Sequence, residues 1–388
     1  MRPSKAFLMC AAILAGLLAS LTLAQEQGPL KDPGPTVSKP KQPPADSSAS
    51  GASDTSTGTS TDTDLPKIPS QYKKSPNTTG LANFKTDVDV VTLDVSVVDT
   101  KGHFLPGIPP SRFRVLEDNV PQQLRQVNMG EAPLTVAMLI EFSNKFQRLY
   151  GPTWFQTLNL AWGFASTLKP QDFVAVIAYD MKPEILSDFS TDRNQTHEAL
   201  QRLTIPAWQE ANLFDALTDT CDRMSGIEGR KAILLISSGV DTFSKLTFDK
   251  TRKIVQEAGV PIYAIGLMQT LRIMADARGR MGGGQDMEYL QADNEMRTFA
   301  KESGGMAFFP RFQGENPEIF QQVEQSLRNQ YVLSYTSSNR VHDGSYRKIK
   351  VELIDENGNP MAFKDDKGKP VKYAVLTKSG YKAPREVE

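Results

Sequence analysis

The feature that most constrains the fold is an alternation, beginning at residue 134, of continuous apolar runs with segments of helical periodicity. Continuous apolar runs are typical of parallel strands buried on both faces, because a half-exposed strand alternates apolar with polar side chains. The runs cover 134–142, 173–179, 232–237, 262–267 and 307–309. Helical patterns are found at 154–168, 195–203, 213–224, 248–258, 296–302 and 317–328. The alternation predicts an α/β fold with a doubly wound, mostly parallel sheet.

Both flanks of this region carry the alternating pattern of half-buried strands. On the N-terminal side, apolar residues alternate with polar ones over 91–97, and shorter alternations follow at 113–115 and 124–127. On the C-terminal side, similar patterns cover 346–353 and 373–376. Two or three strands alone are only marginally stable, so these segments need a common partner. We therefore expect a small flanking β module built from N-terminal and C-terminal strands.

The first eighty residues have the composition of processed and linking segments. Arg2 and Lys5 precede an apolar run that ends in Thr22-Leu23-Ala24, which predicts a signal peptide at 1–24. An uncleaved anchor helix is the alternative, because about 18 apolar residues reach the lower limit for a membrane span. Residues 25–82 are rich in Pro, Ser and Thr and poor in large apolar side chains, which predicts a disordered linker.

The predicted domain organisation follows from these patterns. After the signal peptide and the linker we expect N-terminal β strands at 83–130, an α/β domain at 131–332 and C-terminal β strands at 333–388. Signal cleavage would place the protein outside the cell, in the periplasm or in the cell envelope. The mature chain would then contain no membrane span.

Composition excludes several classes of function. The 388 residues include 44 basic and 45 acidic ones, so the chain offers no basic footprint for nucleic acid. Two cysteines and three histidines leave too few ligands for a thiolate metal cluster or a disulfide framework. Cys221 has the spacing of a buried helix face and is expected in the core. The dinucleotide, P-loop and hydrolase glycine motifs are missing, and the glycine run 282–284 favours a flexible insertion over a phosphate cradle.

Three segments at predicted strand ends and at one helix start carry the polar residues of a candidate site. They are Glu141-Phe142-Ser143-Asn144-Lys145, Ala211-Asn212 and Ser237-Ser238-Gly239-Val240-Asp241. Ligands of doubly wound sheets bind at the carboxyl ends of the strands. These segments resemble the three site loops of von Willebrand factor A (vWA) domains. The segments 88–95, 113–118 and 378–384 further resemble the acidobacterial group of vWA-related secreted proteins, and the resemblance covers about 84–384.

The resemblance implies a metal-ion-dependent adhesion site, in which oxygen ligands hold a hard divalent cation. In the family pattern these ligands are an Asp, two Ser, a Thr and a distal Asp. The positions that match are, in the same order, Glu141, Ser143, Lys145, Ala211 and Ser238. Four of the five ligand types are changed, and Lys145 would place an ammonium group where a hydroxyl is needed. We therefore expect a degenerate site without a resident metal, with at most weak Mg²⁺ or Mn²⁺ binding.

Other acidic and amide side chains bear on this expectation. Asn212 or Asp241 could restore part of the ligand shell, and Lys145 could pair with Glu141, with or without a functional role. Asp215 lies in the first turn of a predicted helix, where a carboxylate favours the helix dipole, so we expect it to be structural.

The resemblance leads to the expectation of a non-enzymatic, exported module for protein interaction or adhesion. Its ligand face would consist of Glu141, Ser143, Lys145, Ala211, Asn212, Ser238 and Asp241. The protein partner and the oligomeric state are not identifiable from the sequence. Two alternatives stay open: a metal-dependent vWA subunit of an enzyme or envelope complex, and a purely structural envelope scaffold.

Overall fold

The structure is a computed structural model. It describes residues 90–129, 133–144, 151–204, 208–269, 272–273, 277, 283–364 and 368–385. The predicted signal peptide and linker therefore lie outside the described residues, as does Lys145. Within the described ranges, no helix has both the length and the apolarity that a membrane span needs.

The described residues form β strands and α helices that we number in chain order. The strands are β1 (Val90–Asp99), β2 (Phe113–Glu117), β3 (Val120–Gln122), β4 (Leu124–Met129), β5 (Leu134–Glu141), β6 (Phe173–Tyr179), β7 (Pro183–Ser190), β8 (Arg230–Ser237), β9 (Ile262–Gly266), β10 (Ala307–Phe308), β11 (Tyr331–Thr336), β12 (Tyr346–Leu353), β13 (Phe363–Lys364), β14 (Pro370–Val371), β15 (Tyr373–Leu376) and β16 (Gly380–Lys382). The helices are α1 (Gly151–Ala165), α2 (Arg193–Gln201), α3 (Leu213–Ser225), α4 (Phe248–Ala258), α5 (Gly283–Ser303) and α6 (Asn316–Arg328).

The central sheet has the strand order β10-β9-β8-β5-β6-β7. All neighbouring pairs are parallel except β6 with β7. Every residue of β5 and β6 is buried, as the continuous apolar runs predicted. One face of β5 contributes Val136, Met138 and Ile140 to one apolar core, and the other face contributes Ala137 and Leu139 to a second. The predicted doubly wound α/β fold is thereby confirmed.

Three elements differ from the sequence prediction. Strand β7 was not predicted, because this antiparallel edge strand is half exposed and its pairing with β6 shifts register twice. Strand β11 was also missed, although its apolar side chains are buried in the flanking module. Helix α5 begins at Gly283 rather than at 296, so the glycine run ends in a helix start and not in a flexible insertion. Glycine is tolerated there because packing of Ala292 and Met296 stabilises the helix.

Two antiparallel sheets form the predicted flanking β module. Their strand orders are β15-β1-β11-β4 and β16-β12-β2-β3, so each sheet combines strands from both ends of the folded chain. Their inward side chains share one apolar core, which includes Leu93, Val115, Leu333 and Val351. The domain boundaries at 83–130, 131–332 and 333–388 stay predictions.

A buried polar network crosses the core of this β module. The Glu117 carboxylate accepts hydrogen bonds from Tyr335 Oη at 2.7 Å, Ser337 Oγ at 2.6 Å and Tyr381 Oη at 3.1 Å. Arg347 donates to the same carboxylate at 3.3 Å, and both charged residues are only 2% exposed. The network joins strands of both sheets around one compensated charge pair.

The β module packs directly on the central α/β layer. Ser326 of α6 donates to Ser96 Oγ of β1 at 3.2 Å, and Tyr263 Oη of β9 lies 2.8 Å from the same Ser326 hydroxyl. Gly304 has a φ of +90°, and a Cβ there would lie 2.6 Å from the carbonyl carbon of Thr377. The chain just after β15 therefore passes too close to Gly304, the residue after α5, for any side chain at this position.

Candidate functional site

The carboxyl edge of the central sheet brings three of the predicted site residues together. Glu141 is the last residue of β5, and Ser237 is the last residue of the neighbouring β8. Because Ile140 pairs with Ile236 in a parallel register, the two strands end side by side. Ser143 and Ser238 follow these ends directly. Both oxygens of Glu141 therefore lie within reach of the two serine-bearing loops.

The Glu141 carboxylate is enclosed by neutral hydrogen-bond donors. Its Oε1 accepts from Ser143 Oγ at 2.8 Å. Its Oε2 accepts from Ser237 Oγ at 3.0 Å, from the Ser238 backbone N–H at 2.7 Å and from Ser238 Oγ at 2.8 Å. The residue is 5% exposed. A buried carboxylate needs such partners, and these donors occupy most of the acceptor positions that its two oxygens offer.

Tyr179 extends this hydrogen-bond chain into the core. Its hydroxyl lies 2.7 Å from Ser237 Oγ. Since the single proton of Ser237 is donated to Glu141, Tyr179 is the donor in this pair. Burial, and next the negative charge of Glu141, raise the pKa of Tyr179 well above its usual value, which keeps the phenol protonated. The chain Tyr179–Ser237–Glu141 is thus a structural support for the carboxylate.

Asp241 does not join the shell around Glu141 but organises the start of α3. Its Oδ1 accepts from the Phe214 backbone N–H at 3.1 Å and from Ser244 Oγ at 2.5 Å. Its Oδ2 accepts from the Ser244 N–H at 3.2 Å. Asp215 accepts the N–H groups of Lys245 and Leu246, each at 3.0 Å, in agreement with the structural role expected for it. Both carboxylates hold the loop after β8 against the α3 start.

Ala211 and Asn212 are held by backbone contacts on either side. The Ala211 N–H donates to Thr242 Oγ1 at 2.8 Å, and the Thr242 N–H donates back to the Ala211 carbonyl at 2.9 Å. Asn212 donates through Nδ2 to the Met181 carbonyl at 2.8 Å. Asn212 is 6% exposed, and its Oδ1 is buried with no hydrogen-bond partner among the described atoms. This oxygen is an acceptor that the described fold does not use.

Only some of the site residues that the sequence predicted therefore form one cluster. Glu141, Ser143 and Ser238 meet directly, while Ala211, Asn212 and Asp241 shape the adjoining loops. Lys145 lies outside the described residues, so its pairing with Glu141 stays a prediction. The sequence reasoning missed Ser237 and Tyr179 as partners of the site. Their positions at the ends of β8 and β6, the two strands beside β5, were a usable signal.

The described residues contain no group of three His, Cys, Asp or Glu side chains that could hold a metal ion. Glu141 and Asp241 face different partners, as the contacts above show. The oxygen donors near Glu141 are serine hydroxyls, each of which already donates its proton to the carboxylate. A cation at Glu141 would compete with these donors for the carboxylate oxygens, while a serine oxygen that donates its proton still has lone pairs that are able to ligate a cation.

Exposed apolar side chains gather in the segments around this edge of the sheet. They follow the carboxyl ends of β5, β6, β8, β9 and β10 or precede α3, and Phe243 has the largest exposed fraction, at 72%. We call this set the apolar rim: Phe155, Met181, Trp208, Phe243, Ile273, Met287, Leu290 and Phe312. The Trp208 carbonyl accepts a hydrogen bond from the Asn144 N–H, which places it beside the loop after β5. Exposed apolar side chains mark an interaction surface where they form a contiguous patch.

The sequence matches no protein-family model and no curated protein. Similar solved structures include proximal thread matrix protein 1 from the mussel byssus, at 12% identity and a TM-score of 0.39, over 55% of this chain and 51% of that chain. They also include the conserved hypothetical protein BatB from Bacteroides thetaiotaomicron, at 13% identity and a TM-score of 0.38, over 50% of this chain and 98% of that chain.

A third similar structure is the vWF domain of the type V pili tip protein Mfa5 from Porphyromonas gingivalis. It shares 13% identity and a TM-score of 0.38, over 52% of this chain and 98% of that chain. The similarity spans about half the length of the mussel protein. These values are too low to assign the chain to a family.

Proposed function

We propose that this protein is an exported, vWA-like module for protein interaction or adhesion, which binds its partner at the carboxyl edge of the central sheet without a resident metal ion. One observation carries the proposal: the Glu141 carboxylate is already compensated by four hydrogen bonds from Ser143, Ser237 and Ser238. A degenerate site of this kind leaves the apolar rim as the contact surface.

The chemistry of magnesium supports a site without metal. Mg²⁺ demands near-octahedral oxygen coordination and dehydrates reluctantly, so it usually binds through one or two carboxylates with free oxygens. Glu141 supplies one carboxylate, whose oxygens are occupied, and Asp241 is committed to Phe214 and Ser244. A cation that binds Glu141 would therefore compete with hydrogen bonds that are already made, three at Oε2 and one at Oε1.

The same contacts argue against a catalytic role for the serines. A nucleophilic serine needs a base that accepts its proton and a partner that orients the base. Here Ser143, Ser237 and Ser238 donate to one buried carboxylate, and no histidine is among the residues that contact it in the described part of the chain. The proposal therefore assigns no reaction to this edge.

One observation favours a second candidate, a metal-dependent vWA subunit of a larger complex. The buried Oδ1 of Asn212 has no described partner, and an amide oxygen is an acceptable ligand for a hard cation. In that case the partner protein would supply the missing carboxylate together with the metal.

Calorimetric titration with MgCl₂ and MnCl₂ separates the two candidates. We expect no saturable heat at micromolar metal for the purified chain, and the same result for Glu141→Gln. Micromolar affinity that Glu141→Gln or Asn212→Ala removes would overturn the metal-free proposal in favour of the second candidate.

Capture of partners from envelope extract tests the contact surface. We expect the double variant Trp208→Ser with Phe243→Ser to lose the proteins that the unmodified chain retains. The matched control is Val120→Ser with Val341→Ser, which changes two exposed apolar side chains of the β module. Equal retention by all three proteins would show that the apolar rim is not the interface.

A further inference from the structure

A groove lies on the flank of the carboxyl edge, between the start of α4 and the first half of α5. Its volume is about 610 Å³, within the usual range for binding clefts. Among the described residues, its lining consists of Phe248, Met287, Glu288, Leu290, Gln291, Asn294, Glu295 and Thr298. None of these residues belongs to the predicted ligand face.

The Phe248 side of the groove is rigid and aromatic. The Phe248 ring packs against Phe299 at a centroid distance of 5.2 Å and against Phe214 at 6.2 Å. Phe299 is fully buried, so the aromatic pair anchors Phe248 to the core of the α/β layer. A preformed surface of this kind loses little conformational entropy when a ligand binds.

The α5 side of the groove is apolar and exposed to solvent. Met287 and Leu290 are both exposed, and they lie one helical turn apart on α5. Methionine adapts its shape to different apolar partners, which suits a binding surface. Together with Phe248, these side chains can bury apolar groups that a partner inserts between the two helices.

The charged residues that line the groove have one sign. Its two charged lining residues are Glu288 and Glu295, and no lining residue is basic within the part of the chain that the structure describes. Asp249 adds a carboxylate in the first turn of α4. Glu295 accepts a hydrogen bond from Gln291 Nε2 at 2.8 Å. Burial raises the pKa of Glu295, the hydrogen bond from Gln291 partly opposes this, and the charge of Asp241 adds a smaller increase.

We propose that this groove binds an apolar segment of a partner protein that carries a lysine or arginine side chain. The apolar part of the segment would pack on Phe248, Met287 and Leu290, and its cation would lie beside Glu295. A cation there replaces the solvation that Glu295 lacks and offsets the repulsion from Asp241. Met287 and Leu290 also belong to the apolar rim. In this respect alone, the groove proposal rests on the proposed function.

Peptide binding to the purified full chain tests this proposal. The probe is a short fluorescent peptide of Phe, Leu and Lys, and its twin has every Lys replaced by Glu. We expect fluorescence anisotropy to show saturable binding of the lysine peptide and much weaker binding of the twin. We expect Glu295→Gln and Leu290→Ser each to weaken binding by about tenfold, the effect of losing one good contact.

The matched controls are Glu198→Gln on α2 and Val341→Ser in the β module, which change an exposed carboxylate and an exposed apolar side chain elsewhere. Equal binding of both peptides, or equal effects of the groove and control variants, would overturn the proposal. Self-association of the chain that Leu290→Ser abolishes would also overturn it, since a second copy would then fill the groove. The proposed function is judged separately, by the Trp208 and Phe243 variants.

Discussion

At the scale of single residues, the environment of Glu141 is the most specific result. The sequence predicted that Glu141, Ser143 and Ser238 would lie close together, because neighbouring parallel strands end at the same edge. It could not predict that all of the serine hydroxyls donate to the carboxylate, since side-chain rotamers follow from tertiary packing.

Ser238→Ala tests whether these donors stabilise the folded protein. The change removes one hydroxyl donor from a buried carboxylate, and hydrogen bonds to charged groups contribute about 1.5–3 kcal/mol. We expect the free energy of unfolding in urea to fall by about that amount. Ser225→Ala, at the exposed end of α3, is the control and should change it little. An unchanged stability in Ser238→Ala would mean that the hydroxyl is not needed by Glu141.

Gly239 shows how closely α5 packs on the loop after β8. Its φ is +79°, and a Cβ there would lie 2.6 Å from Met296 Cε and 3.1 Å from the Ala292 carbonyl. Gly229 has a similar φ of +82°, but a Cβ there would meet no atom within 4 Å. We expect Gly229→Ala to cost about 1–2 kcal/mol from backbone strain alone, and Gly239→Ala to cost more because the buried Met296 side chain and the Ala292 carbonyl must also shift. Equal losses in thermal unfolding experiments would contradict the close packing.

At the scale of elements, the fold was predictable wherever one pattern dominated a segment. Fully buried strands such as β5 and β6 produce continuous apolar runs, and α4 has a clear apolar stripe that ends at Gly259, so its bounds were predicted as observed. Strand β7 has no such pattern because it is a half-exposed, irregular edge. The first half of α5 was missed because its exposed residues carry no apolar stripe, and its helical state follows from packing against neighbouring elements.

The Glu117 network joins four strands or their ends. It leads to a prediction about the stability of Arg347 variants. Arg347→Met removes the cation and leaves a buried carboxylate without a charge partner. Breaking a buried pair in this way costs about 3–5 kcal/mol. We expect the urea midpoint to fall accordingly, whereas the double variant Arg347→Met with Glu117→Leu should recover much of the loss. Recovery by the double variant distinguishes an uncompensated charge from a simple packing defect, which would worsen.

At the scale of the whole molecule, the junction between the β module and the α/β layer contains a titratable cluster. Burial raises the pKa of Asp94 on β1, although Arg230, Lys378 and Lys231 act to lower it. Burial likewise lowers the pKa of Lys378, and Asp94 partly opposes this effect. Both side chains are half-buried, so the contact between the two layers desolvates them in part.

The raised pKa of Asp94 predicts how stability depends on pH. The folded protein keeps this proton to higher pH than the unfolded chain does, so its stabilising contribution is present at low pH and is lost as the pH rises through the raised value. We expect the stability of the unmodified protein, relative to Asp94→Asn, to fall as the pH rises above about 4, the ordinary pKa of an aspartate.

Asp343 serves as a control, because its effect on stability should change with pH in the opposite direction. Hydrogen bonds from Ser345 lower its pKa. The stability relative to Asp343→Asn should therefore rise with pH, weakly because the group is exposed. Denaturant titrations of the three proteins measure both trends when they extend below the ordinary aspartate pKa of 3.8 for Asp343 and above it for Asp94. The same trend in both variants would contradict the burial of Asp94 at the junction.

The position of β1 has a mechanical consequence. The described fold begins with this strand, which lies inside its sheet and pairs with β11 over 90–95 and with β15 over 96–99. A pull on the chain before Val90 therefore acts along a strand whose first half is held by β11 and whose second half is held by β15. Its hydrogen bonds are loaded together in shear and are not peeled apart one by one. A module that binds a partner at the carboxyl edge of its central sheet, while its N-terminal side is under tension, would resist extension through this strand first.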